Sequence, residues 1–290
     1  MLRLIATDMD GTLLSRDKNI SQKNLEAIRI AQEKGVILAL ASGRGELSLR
    51  EYAAQLDMYR YGGYLICNNG QRLVSLRDGS VVENAKLDGE LVKRIFRFAK
   101  HHGIEMILEG DDGLSVYTPN NLIVVRFLYQ RFMQILPHFR NDDGKNSWMS
   151  FFGIFQERRL HLVSTEQQLA PSYYKIGLAH HKRRLDAIVS KLSVEFGSEV
   201  SMSRVSDMWI DLVSHGVSKA LGVKQIMDTH DIPVHAVMAI GDSENDLEMI
   251  TFAGIGVAMK NGMASVREIA DEITDSNDND GVASVILKHL

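Results

Sequence analysis

An α/β fold is predicted, a Rossmann-like doubly wound parallel sheet interrupted by an inserted α+β domain, and three observations predict it. Short apolar runs alternate with amphipathic segments at both ends of the 290-residue chain, as in a parallel sheet covered on both faces. Several of those runs end in Asp, Ser or Gly, and in such sheets ligands bind beyond the carboxyl ends of the strands. In the long middle stretch the alternation lapses into a hairpin signal, a helix, short strands and an irregular polar segment.

Taken in order, "LRLIAT" (Leu2–Thr7) reads as a fully buried first strand. Ser21 can cap a helix that carries Leu25, Ile28 and Ala31 on one face, with Gly35 as its stop. "VILALAS" is a second buried strand, Glu46 to Leu56 an amphipathic helix, and "YLICNNG" a third strand. "RLVSLRDGSVVEN" is two alternating runs around Asp78-Gly79, a hairpin signal. A helix over "GELVKRIFRFAKHHG" follows, and later a strand–helix pair, "YYKIGLAHH" and "RRLDAIVSKLSVEFG". The core alternation is then expected to resume with "MWIDLV", "HAVMAIGD", "GIGVAM" and "DEITD". The core domain is therefore expected over residues 1–84 and 207–290, and the inserted domain over 85–206.

Composition narrows the function classes. An apolar share of 45% and a charged share of 24% are globular values. A net charge of -4 gives no hint of a nucleic-acid surface. The single cysteine, Cys67, excludes an internal disulfide framework and a multi-Cys zinc site, and it reads as a small buried hydrophobe. The first strand begins too early for a signal peptide, and no apolar run approaches the roughly 20 residues a membrane helix needs. The expectation is a cytoplasmic protein with no nucleic-acid, membrane or obligate protein partner.

The chemistry is expected at the carboxyl edge of the sheet. Strand one ends in Asp8, strand two in Ser42-Gly43 and the strand "HAVMAI" in Gly241-Asp242, while Lys219 opens a helix. Carboxylates converging beside a lysine suit a hard divalent cation together with a phosphate. A dication also explains why two acids, Asp8 and Asp10, stand so close. Asp8 and Asp242 are the expected direct ligands, with the backbone carbonyl of Asp10 as a third, a set that suits Mg2+. One of the two aspartates can attack phosphorus. The other can protonate the leaving alkoxide and then deprotonate water. Gly11 permits the sharp exit from the strand, and Thr12 can hold the loop by a side-chain hydrogen bond.

These stretches carry a family resemblance. "DMDGTLL", "ASGR", "VSKALGV" and "GDSENDLEM" resemble, in order and context, the four motifs of the haloacid dehalogenase superfamily. The long insert and the ending "GVAMKNG…NDNDGVA" are similar to the Cof-type subfamily with a class IIB cap. The resemblance implies Asp8 as nucleophile and Asp10 as acid/base. It implies phosphate contacts from the Met9 N–H, the Ser42 hydroxyl, the Gly43 N–H, Lys219 and Asn245, and Mg2+ held by Asp8, Asp10 and Asp242. Thr12, Arg44, Asp246 and Asn261 are implied around this set or at the substrate rim, with Asp246 orienting Lys219 or a metal-bound water. Arg44 is open between a cap carboxylate and the substrate. Lys260 departs from the subfamily's usual glycine and is expected near the rim.

The activity implied is a Mg2+-dependent phosphatase for small phosphorylated metabolites, sugar phosphates or phosphorylated cofactors, with a cap that closes over the site. A sugar phosphomutase and a non-catalytic phospho-acceptor are the alternatives. Against the metal reading of His101-His102 and His180-His181, adjacent side chains diverge, and the aromatic group "FFGIF" reads as cap core.

Overall fold

A computed structural model describes residues 1–119 and 160–290. The "FFGIF" group and the polar stretch before it lie outside the described residues. Along the first segment run β1 (Leu4–Thr7), α1 (Gln22–Glu33), β2 (Ile37–Ala41), α2 (Glu46–Gln55), α3 (Met58–Tyr61), β3 (Tyr64–Cys67), β4 (Arg72–Ser75) and β5 (Val81–Glu83). The insert brings β6 (Leu87–Asp88), α4 (Gly89–His102), β7 (Glu105–Gly110), β8 (Gly113–Tyr117), β9 (Leu160–Leu162), β10 (Ser172–Tyr173), β11 (Lys175–Ala179), α5 (Lys182–Phe196), β12 (Val200–Ser206) and β13 (Trp209–Ser214). The chain then returns through α6 (Lys219–His230), β14 (Val237–Gly241), α7 (Leu247–Phe252), β15 (Ile255–Met259), α8 (Ala264–Ile269), β16 (Glu272–Thr274) and α9 (Gly281–His289).

These elements form two compact units, Met1–Ala85 with Gly216–Leu290, and Lys86–His215. Among the described residues, the first unit is an eight-stranded sheet in the order β16-β15-β14-β1-β2-β3-β4-β5. It is parallel from β16 to β3, and the β4–β5 hairpin extends it antiparallel, with Gly79 in the left-handed conformation at φ +73. Strands alternate the faces they bury. Ile5, Leu38, Leu40, Met238 and Ile240 pack with Ala27, Ile28 and Val285 on one side. Leu4, Ala6, Ala39, Val237 and Ala239 pack with Val223, Ile226 and Met249 on the other. Burying each valine, leucine, isoleucine or methionine contributes about 1.5–3 kcal/mol, so each strand is held from both faces. The expected Ser21 cap forms, its hydroxyl accepting from the Asn24 N–H at 3.1 Å.

The winding reverses at β1. From it the chain steps to β2 and β3 on one side, and after the insert to β14, β15 and β16 on the other. The gap beyond the carboxyl ends of β1 and β14 is the topological switch point, where open α/β sheets bind ligands. Asp8 and Asp242 stand immediately after those two strands.

The second unit has a six-stranded sheet in the order β12-β13-β11-β7-β8-β9. Helices α4 and α5 pack on one of its faces through Ile95, Phe96, Ile188 and Phe196. The boundary expected at residue 207 falls instead after His215. The run "MWIDLV", expected as a core strand, is β13 and pairs antiparallel with β11 and β12. Its middle residues are buried throughout. A central strand covered on both faces shows no alternation, whichever sheet it joins, so the pattern alone does not assign it. Among the described residues, no helix is long and apolar enough to cross a membrane.

Candidate active site

β1 delivers Asp8, which is 5% exposed, to the switch point. The first residue of α6, Lys219, is wholly buried, and its Nζ donates to Asp8 Oδ1 at 2.5 Å and to Asp246 Oδ1 at 2.7 Å. Asp242, following β14, accepts from the Thr12 hydroxyl through Oδ1 at 3.2 Å. One carboxylate oxygen each from Asp8, Asp242 and Asp246 lies within 4.8 Å of the others. Gly11 makes room for this grouping. Its φ of +85 suits glycine, and a Cβ there would stand 2.5 Å from Asp242 Oδ2.

Three carboxylates share one ammonium, and the deficit falls on the acids. Burial raises the Asp8 pKa to about 7, helped by Asp246 and opposed by Lys219. Burial likewise pushes Asp242 well above the usual carboxylate range, with Asp8 and Asp246 adding to it. Lys219 remains a cation, since Asp246 and Asp8 outweigh the burial that would lower its pKa. With all three acids ionised two negative charges are left over, which a divalent cation would cancel.

The donor set fits such an ion. Every offered atom is a hard oxygen. Asp8 Oδ2 and Asp242 Oδ2 take no protein hydrogen bond among the described residues. Asp246 is engaged differently. Its Oδ1 holds Lys219, and its Oδ2 accepts the N–H groups of Asp242 at 3.0 Å and Ser243 at 3.1 Å. It braces the loop as half of a capping box with Ser243.

Asp10 turns away from this cluster. Arg44 grips it with two bonds of 2.6 Å, Nε to Oδ2 and Nη2 to Oδ1, and Lys18 adds a third at 2.6 Å. Burial would raise its pKa, but the Arg44 bond and charge, then Lys18, outweigh that and hold it at about 2. In this arrangement the carboxylate is ionised and both its oxygens are paired with cations. Arg44, open between a cap acid and the substrate in the sequence, is bound to Asp10, with Ser48 on its Nη1 and Tyr52 beneath it.

The other expected residues gather at the same edge. Ser42 follows β2, is 2% exposed, and accepts the Arg44 N–H at 3.2 Å, bending the chain around Gly43. Met9 directs its side chain into the core. Asn245 donates through Nδ2 to Asn69 Oδ1 at 3.0 Å and accepts from Ser243 Oγ at 2.7 Å. Asn261 donates to the Gly11 carbonyl at 2.7 Å. Its neighbour Lys260, expected near the rim, lines a groove with Glu272, Thr274, Asp275 and Lys288.

Two contributors were missed. Lys18 lies in a loop with no distinguishing pattern. Asn69 belongs to "NNG", read as the end of a strand, although consecutive Asn and Gly favour left-handed turns and carried that signal.

Known proteins resemble this chain along nearly its whole length. A family model described as haloacid dehalogenase-like hydrolase matches residues 5–286. The 5-amino-6-(5-phospho-D-ribitylamino)uracil phosphatase YitU of Bacillus subtilis is 27% identical, over 99% of this chain and 97% of its own. Phosphatase YwpJ of the same organism is 27% identical over the whole of both chains. A solved haloacid dehalogenase-like hydrolase from B. subtilis superposes with a TM-score of 0.79 at 25% identity, covering 100% of each chain.

Proposed function

The chain belongs to the haloacid dehalogenase-like hydrolases and is a phosphatase, and on that premise we propose that it hydrolyses small phosphorylated metabolites with Mg2+, through a phosphoryl group carried on Asp8. The observation that carries the proposal is the division of labour on Asp8. One oxygen is fixed by Lys219, and the other takes no protein hydrogen bond among the described residues.

Asp8 and Asp242 would hold the Mg2+, with the Asp10 carbonyl as a further oxygen. The ion would neutralise charge on the phosphoryl oxygens and on the attacking carboxylate. Ser42, Lys219, Asn245 and the N–H groups of Met9 and Gly43 are assigned to the phosphate. One carboxylate oxygen of Asp8 attacks phosphorus while the other would stay with the metal, and the substrate's ester oxygen leaves with the bonding pair. That oxygen takes a proton from Asp10, which requires the carboxylate to leave Arg44 and be protonated first. Water then attacks the phosphoryl group, giving its proton to Asp10, and Asp8 is regenerated. The base role makes the same demand, because both Asp10 oxygens are taken by Arg44 and Lys18 until the carboxylate is released.

The core side chains are committed to phosphate, metal and proton transfer, so choice of leaving group is assigned to the inserted unit. The resemblance to YitU supports including a ribityl phosphate among candidate substrates beside sugar phosphates and phosphorylated cofactors. A panel of these phosphomonoesters, ranked by kcat/KM, tests the reading. Phosphate release is expected with Mg2+ and is lost when the metal is chelated. On a hexose monophosphate the product is free sugar, where a mutase would return an isomer. No release from any member with Mg2+ present would overturn the proposal.

A further inference from the structure

After β3 the chain makes a three-residue turn, Asn68, Asn69 and Gly70, with φ values of 50, 57 and 94. Three consecutive left-handed residues reverse the chain tightly and aim backbone groups in unusual directions. The Asn68 N–H donates to the Arg44 carbonyl at 2.9 Å, and the Asn69 N–H to the Ser42 carbonyl at 3.0 Å. Gly70 lies against the residue before Lys219, so closely that a Cβ would stand 2.0 Å from the Ser218 carbonyl oxygen. The Asn69 side chain, 2% exposed, accepts from Asn245 Nδ2 at 3.0 Å. Behind the turn, Asn84 donates to the Gly70 carbonyl at 2.6 Å, and Gln225 donates to Asn84 at 2.9 Å. One short turn thus touches the loops that present Ser42, Lys219 and Asn245.

We propose that Asn69 is a positioning residue of the phosphate pocket, acting through Asn245. The inference rests on the phosphate-binding role proposed above for Asn245. An amide has two orientations, and the partners of Asn245 select one. Its oxygen takes the Ser243 hydroxyl and its nitrogen faces Asn69 Oδ1. Nδ2 carries two hydrogens, so one is committed to Asn69 and the other is available to an anion. Without Asn69 the amide is held only by the Ser243 hydroxyl, which can donate to the oxygen or accept from the nitrogen, and in the reversed orientation its oxygen would meet the phosphate with like partial charge.

Asn69→Gly is the informative variant, because glycine keeps the left-handed backbone while the acceptor goes with the rest of the side chain, and the cycle below isolates the part that acts through Asn245. The test is a double-mutant cycle with Asn245→Ala, read by titrating inorganic phosphate into the Mg2+-loaded protein. In the wild-type background Asn69→Gly is expected to weaken phosphate about fivefold to tenfold. In the Asn245→Ala background it is expected to change affinity less than about twofold, since the group it acts through is gone. Where the phosphate complex becomes too weak to titrate, kcat/KM for p-nitrophenyl phosphate on the same four proteins supplies the cycle. Equal losses in both backgrounds, or none in the first, would overturn the inference while leaving the phosphatase intact. A wild-type protein that neither binds phosphate nor turns over would overturn the phosphate site itself, and this inference with it.

Discussion

Asp8→Asn is expected to reduce kcat/KM by about 10⁴-fold or more, the scale seen when a covalent nucleophile is removed, and to make the metal-free protein more stable. The activity loss follows from the proposed attack, since an amide oxygen is a poor nucleophile and a worse phosphoryl carrier. The stability gain follows from burial. Asp8 titrates at about 7 in the folded protein against 3.8 for the ordinary side chain. Between pH 4 and 7 the folded protein keeps a proton that the unfolded chain has released. Wild-type stability therefore falls as pH rises through that window and levels off above it. Asparagine never ionises, so the advantage of the variant opens over the same window and is complete by pH 8. A rise of about 2–4 °C in melting temperature is expected at pH 8, shrinking at pH 5 and vanishing below pH 4. Thermal melts of both metal-free proteins at these pH values check it. A variant less stable than wild type at pH 8 would mean that Lys219 compensates Asp8 fully.

Lys219→Met probes the same charge balance from the other side and is expected to be the most destabilising change at the site. The ammonium is wholly buried and bonded to two acids. Removing it leaves Asp8, Asp242 and Asp246 without a cation in a dry setting. Breaking one side of a buried ion pair costs about 3–5 kcal/mol, so calorimetry should show a fall on the order of 10 °C. Mg2+ should restore part of that loss, because a dication among the same oxygens supplies the missing positive charge. Turnover should stay impaired, since the ion does not replace the lysine at the phosphate. A melting temperature within about 2 °C of wild type would contradict this account of the cluster.

Asp8, Ser42 and Asp242 were legible in the sequence for a mechanical reason. A buried strand that ends in an acid or a hydroxyl must deliver it to the sheet edge, and a parallel sheet collects such edges on one side. Run length and polarity therefore suffice to group residues far apart in the chain. The same rule misassigned "MWIDLV", because burial on both faces looks alike in the two sheets, and hydrogen-bond direction leaves no mark on composition. It was silent on Arg44 and Lys18. Which acid a flexible cation reaches depends on loop geometry, and the sequence offered Arg44 several. Asn69 was hidden for another reason. Its contribution comes from a backbone conformation and one amide contact, and "NNG" announces the conformation without its destination.

The claim beneath the proposed reaction is that Asp8 carries the phosphoryl group, and Asp10→Asn with p-nitrophenyl phosphate tests it most directly. Nitrophenolate leaves without needing a proton, so the variant can complete the first half-reaction and then stalls for want of a base toward water. Rapid-quench measurement with Mg2+ should show a burst of one nitrophenolate per active site. Steady turnover should fall about 10²–10⁴-fold, and mass spectrometry should find the phosphoryl group on the peptide containing Asp8. No burst together with an unmodified Asp8, or a phosphoryl group on any other residue, would contradict it.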